Sequence, residues 1–198
     1  MKRKIKILKV SNASFITTIV LTILFFILAV SGSREFHILK KSTDKYIVCE
    51  EAAKHLQDGS DYLTEQVRLY VMTGDEKYMN LYLKEANETR RRENSLKELK
   101  KYFDKTAVFT SLQNALNCSN RLMKTEYYAM RLVAEANGVS KKTWPKEIRQ
   151  VSIIDQDEAL TASEKKDKAQ KLVCGKTYQN RRDEITNEVT RCMQGQIC

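Results

Sequence analysis

Two cations and four aromatic side chains are the residues of this sequence best suited to hold a ligand. Arg68, Tyr70, Lys77, Tyr78 and Tyr82 crowd the stretch RLYVMTGDEKYMNLY at residues 68–82, and the sole tryptophan, Trp144, stands in a later segment. Aromatic rings with a few polar groups line partly apolar pockets, and guanidinium or ammonium groups suit an anionic ligand. That chemistry is binding, not bond making. The competing reading is that the same rings close the end of a helical core, as aromatics at helical spacing usually do.

The sequence carries no recognisable catalytic constellation. His37 and His55 stand about five helical turns apart, with no carboxylate at metal spacing for both. No H-E-x-x-H, C-x-x-C, glycine-rich phosphate loop or G-x-S-x-G occurs. Neither an enzyme nor a metal or cofactor is expected. Five cysteines remain: Cys49, Cys118, Cys174, Cys192 and Cys198. An oxidising compartment can pair them and leave one over, whereas a buried thiol behaves as a small hydrophobe. Cys174 and Cys192 on one helix would lie about 27 Å apart by the helical rise, too far to pair.

The elements that hold these residues read as helices. The 198 residues include 6 Gly and 1 Pro, with 30% charged and 42% apolar residues, a composition for long helices. Leu39, Ser42, Tyr46, Cys49, Ala53, Leu56, Ser60, Leu63, Val67 and Tyr70 follow an alternating 3-4 spacing, the seam of a bundle or coiled coil. The seam is partly small and polar, so close packing with freedom to slide or rotate is expected. Thr73-Gly74-Asp75 interrupts it: Gly74 suits a helix C-terminus, and either Asp75 or a Thr73–Glu76 box suits the next cap.

A second helix is predicted over about residues 76–103. In its middle, NETRRRENS places Arg90, Arg91 and Arg92 on an expected solvated face with Glu88 and Glu93. A third helix over about residues 106–137 repeats the seam, with Glu126 as the exception, and Gly138 stops it. Residues 138–160 show no clean period, and a loop this long is often functional. Thr161 and Glu164 then open a fourth helix through Tyr178, Ile185, Val189 and Cys192. The fold class is therefore all-α: an N-terminal transmembrane helix followed by an up-down-up-down four-helix bundle.

Residues 10–33 carry no charge, and about 20 apolar residues cross a bilayer. Lys2, Arg3, Lys4, Lys6 and Lys9 precede the stretch, which places the N-terminus in the cytoplasm. We expect a basic cytoplasmic segment at 1–12, a transmembrane helix at 13–32 and an extracytoplasmic domain at 33–198. A cleaved signal peptide, with Ala29-Val30-Ser31 at the cut, is the competing reading; the apolar stretch exceeds the usual signal core. Beyond residue 30 the chain has 30 basic and 25 acidic residues, without a basic stripe, so nucleic acid is not an expected partner.

The stretch RLYVMTGDEKYMNLYLKEA resembles the Tyr-Leu-x-Thr-Gly-Asp turn of CHASE-type and chemoreceptor-like four-helix sensor modules. EYYAMRLVAEA and ASEKKDKAQKLVCGKTYQ resemble the third and fourth helices of such modules in clostridial membrane signalling proteins. There they precede diguanylate cyclase, histidine kinase or chemoreceptor output domains. The resemblance covers about residues 10–195. It implies a membrane-anchored extracytoplasmic sensor module, here without the second transmembrane helix and output domain, with a possible small-molecule ligand. Together with the small seam, it implies a parallel homodimer in the membrane. A tethered helical interaction or structural protein that senses nothing is the other class left open.

Overall fold

A computed structural model describes the backbone of residues 2–194 and the side chains of residues 14–194. The side chains of Lys2, Arg3, Lys4, Lys6 and Lys9, and the whole of Cys198, lie outside the described residues. The chain is all-helical, with no strand among the described residues. It divides into two units, residues 1–46 and 47–198.

The first unit belongs to helix α1 (Lys2–Thr73), which is long and apolar enough at its start to cross a membrane. Phe15, Leu21, Phe25, Phe26 and Leu28 are all exposed. Thr18 and Thr22 donate their hydroxyls to the carbonyls of Ser14 and Thr18, each at 2.9 Å. Hydroxyls satisfied within their own helix suit a hydrocarbon surround, where no water is at hand.

In the second unit α1 is followed by α2 (Glu76–Lys84), a π-helical turn (Glu85–Thr89), α3 (Arg91–Phe103) and α4 (Ala107–Ala136). Two short helices, α5 (Lys146–Arg149) and α6 (Asp155–Glu158), break the long connection before α7 (Ala162–Cys174) and α8 (Lys176–Gln194). Every seam residue of α1 from Cys49 to Tyr70 is buried, while Leu39 and Tyr46 are exposed. Burial of that apolar face, rather than helix propensity, holds such a helix in place.

Cross-helix contacts give the directions. Pairing of Asp61 with Arg182, Thr64 with Tyr178 and Arg68 with Val173 runs α1 antiparallel to α7 and α8. Tyr82 with Glu126 and Arg92 with Ser119 run α2 and α3 antiparallel to α4. Glu135 with Lys165 and Glu126 with Tyr178 do the same for α4 against α7 and α8.

The hairpin forms at residues 73–75. Gly74 adopts φ 71° and donates to Tyr70 O at 2.7 Å, and Asp75 accepts from Lys77 N at 2.9 Å as the cap of α2. A Cβ at Gly74 would lie 2.7 Å from Asn137 Nδ2, so the hairpin abuts the end of α4. Gly74→Ala is accordingly expected to destabilise by about 2 kcal/mol, from left-handed strain plus the clash. A thermal midpoint unchanged within a degree would contradict this.

Two of the expected helices are interrupted. The second breaks at the π turn, after which Arg90 takes φ 49°. The arginine run is corrected here: Arg91 is half-buried against Glu85, and Arg92, at 1% exposure, is fully buried rather than solvated. Its guanidinium pairs with Glu93, as the sequence suggested, and also with Ser119 and Met123 on α4, which local spacing does not reveal. The fourth helix breaks at Gly175, where a Cβ would lie 2.5 Å from Lys171 O. Thr161 and Glu164 form the expected reciprocal cap of α7.

Candidate functional site

Glu126 occupies a seam position of α4 between Leu122 and Ala129, and only 1% of it is exposed. Tyr82 Oη of α2 donates to its Oε2 at 2.5 Å, and Tyr178 Oη of α8 donates to its Oε1. Thr64 Oγ1 of α1 lies 3.1 Å from the Tyr178 oxygen. One carboxyl group thus gathers α1, α2, α4 and α8 through side chains.

A second polar layer lies beside it. Arg92 donates to Ser119 Oγ at 2.6 Å and to Glu93 Oε1 at 3.1 Å, and approaches Met123 Sδ at 3.0 Å. Ser119 in turn lies 3.0 Å from Ser60 Oγ of α1. Arg68 sits 5.3 Å above the Tyr178 ring and donates to Val173 O.

Burial pushes the Glu126 carboxyl above its ordinary value; the tyrosine hydrogen bonds and the charges of Arg92 and Arg68 oppose that shift. Burial, reinforced by Glu126, pushes the phenols of Tyr82 and Tyr178 up as well, which keeps them donors. Glu126 is enclosed, with both oxygens engaged. It organises the core and has no open face for general acid–base work.

Tyr178 also has a second environment. Its residue lines a cleft of about 870 Å³ formed by α6, α7, α8 and Thr125 of α4. Lys168, Lys171, Lys176 and Arg181 line the cleft, against Asp157, Glu164 and Asp167. Asp157 is held by Lys168 Nζ at 2.5 Å and Tyr128 Oη at 2.6 Å; the lysine bond, then the phenol, holds its carboxyl below the usual range. Arg181 reaches Thr125 Oγ1 at 3.1 Å. Lys171 and Lys176 make no ion pair among the described residues, so they present charge to whatever enters.

No family model, curated protein or solved structure matches the chain. The chemistry of the cleft and of the carboxyl behind it is what the site offers.

The six residues singled out from the sequence separate into three places. Tyr82 and Arg68 converge on the Glu126–Tyr178 cluster. Tyr70 is buried on α1, its phenol pushed up to about 12 by burial and then by Glu76. Lys77 is exposed at the hairpin, 5.8 Å over the half-buried Tyr78 ring. Trp144 is buried under Arg131, whose guanidinium carbon lies 4.1 Å from the ring centroid. None of the six lines the cleft. Sequence reasoning passed over Tyr178 and the cleft lysines. The signals available were the lone acid on an apolar seam and the glycine within VCGKTY.

Proposed function

We propose that the chain is a membrane-anchored sensor module whose helical domain lies outside the cytoplasm and binds a small anionic ligand in the α6–α8 cleft. The observation that carries the reading is the double position of Tyr178. It faces the cleft, and it bonds the buried Glu126 and neighbours Thr64 on α1, the helix that also bears the apolar stretch. A ligand that shifts Tyr178 alters the hydrogen bonds of a buried carboxyl, and that change reaches α1.

The antiparallel pairings support reading residues 47–73, α2–α3, α4 and α7–α8 as an up-down-up-down four-helix bundle. The five basic residues before the apolar stretch support a cytoplasmic N-terminus. Full enclosure of Glu126 supports binding over catalysis. From Cys49 onward the α1 seam is used within the chain, so a parallel homodimer would pair through the exposed Phe36, Ile38, Leu39 and Tyr46 instead. The same exposed apolar residues favour the second reading, a tethered helical protein that binds a neighbour and no small molecule.

The test is a melting series on the full chain in nanodiscs, against a panel of carboxylates, amino acids and inorganic phosphate. One class should raise the midpoint by several degrees at saturating concentration. Lys171→Ala and Lys176→Ala should abolish the rise without changing the unliganded midpoint. A flat response to the whole panel, with stable capture of a neighbouring membrane protein, would replace this reading by the second. The protein should also stay in the membrane fraction at full mass; a soluble form beginning near Gly32 would mean a signal peptide.

A further inference from the structure

Cys49 is the first buried residue along α1 among the described side chains, and Cys192 lies in the last described turn of α8. Both have 0% exposure, and their sulfurs approach to 3.4 Å across the α1–α8 contact. Two thiols at this distance need only small side-chain rotations to bond, since a disulfide sets its sulfurs about 2.05 Å apart. The other described cysteines stand elsewhere: Cys118 is half-buried against Arg121 on α4, and Cys174 is exposed at the end of α7.

We infer that Cys49 and Cys192 are a disulfide-forming pair that fastens the first helix of the domain to the last. The reaction is thiol–disulfide exchange with a disulfide donor, either a small-molecule disulfide or a thiol oxidoreductase. One thiolate attacks the donor and expels a thiolate, and the second cysteine then displaces the donor's other sulfur. Two protons leave the protein, two electrons reduce the donor to two thiols, and one S–S bond forms.

The folded state slows the first step. The hydrogen bond to Cys49, and then burial, push the Cys192 thiol well above its ordinary value, and the thiolate is the nucleophile. Exchange therefore runs fastest before the helices close or when α8 frays. Once made, the bond closes a loop of 143 residues in sequence separation. It removes the axial and rotational play between α1 and α8 on which the sensor reading relies; only this consequence, and the state found in cells, rests on that reading.

The test has two arms. In the first, purified full chain in detergent is incubated with glutathione disulfide at a series of temperatures up to its melting midpoint, then alkylated, digested and mapped. A Cys49–Cys192 linked peptide should dominate, and the midpoint should rise by roughly 10 °C. The rise should vanish with reductant and in both Cys49→Ser and Cys192→Ser, but persist in Cys118→Ser and Cys174→Ser. Recovery of both thiols alkylated after denaturation at every temperature would overturn the inference, as would predominant linkage of either cysteine to another. In the second arm, membranes are alkylated before lysis. The linked peptide should be present; its absence there, with pairing intact in the first arm, overturns the extracytoplasmic placement while leaving the pair itself standing.

Discussion

Replacing Tyr82 and Tyr178 together by Phe is expected to destabilise the protein by roughly 3–4 kcal/mol at pH 7.5, and by much less at pH 5. Both phenols donate to Glu126, and a hydrogen bond to a charged group contributes about 1.5–3 kcal/mol. Removing both leaves a carboxyl at 1% exposure without either phenol donor. The direction with pH follows from the raised Glu126 value. The fold favours the protonated carboxyl, so its contribution is fully present below the ordinary 4.5 and is lost as pH rises through the folded value. Without the phenols, which lower it, the folded value climbs further, so the gap between variant and parent widens as pH rises above the parent's folded value. Denaturant melts of the full chain in detergent, followed by circular dichroism at both pH values, measure the difference; other carboxylates cancel between variant and parent. Equal destabilisation at pH 5 and 7.5 would show that Glu126 does not ionise in this window.

The second large effect concerns Gly59 of α1 and inverts a common rule. Ala at a helical Gly usually stabilises by about 1 kcal/mol. Here the added Cβ would meet Arg92 Cγ at 2.8 Å, near Glu85 Oε1 at 3.4 Å. Arg92 has nowhere to go, because Ser119, Glu93 and Met123 hold its head and burial holds its stem. Gly59→Ala is therefore expected to destabilise by about 1–2 kcal/mol net, as overpacking does. Arg92→Ala alone should cost about 3–4 kcal/mol, through a cavity and stranded polar partners. In the double variant the added methyl should be neutral or favourable, giving a coupling of at least about 1 kcal/mol between the sites. Simple additivity in a double-mutant cycle would mean that Arg92 yields freely.

These two sites also show what local spacing conveys. The seam of α1 from Cys49 to Tyr70, the hairpin at Gly74 and the reciprocal cap of Thr161 and Glu164 all follow from periodicity and terminal chemistry, which act over a few residues. Arg92 does not. An arginine-rich stretch without large apolar residues reads as solvated, because burying a charge is costly unless partners repay it. Here one partner, Glu93, is adjacent, but Ser119 and Met123 come from α4, about thirty residues on. The π turn and the left-handed Arg90 that aim Arg92 inward have no glycine to announce them. Glu126 was visible as an acid on an apolar seam, but nothing local indicates the two phenols that meet it. The polar positions of the α1 seam also find partners far along the chain: Ser60 lies 3.0 Å from Ser119 of α4 and Thr64 3.1 Å from Tyr178 of α8.

The burial of Trp144 beneath Arg131 has a spectroscopic consequence. As the only indole in the chain, it is the sole source of tryptophan emission, and that emission arises in the connection between α4 and α7. Fluorescence therefore watches this connection alone, while far-ultraviolet dichroism averages over every helix. Where the two curves coincide, the connection melts with the bundle; where they part, it is a separate cooperative unit with its own opening equilibrium.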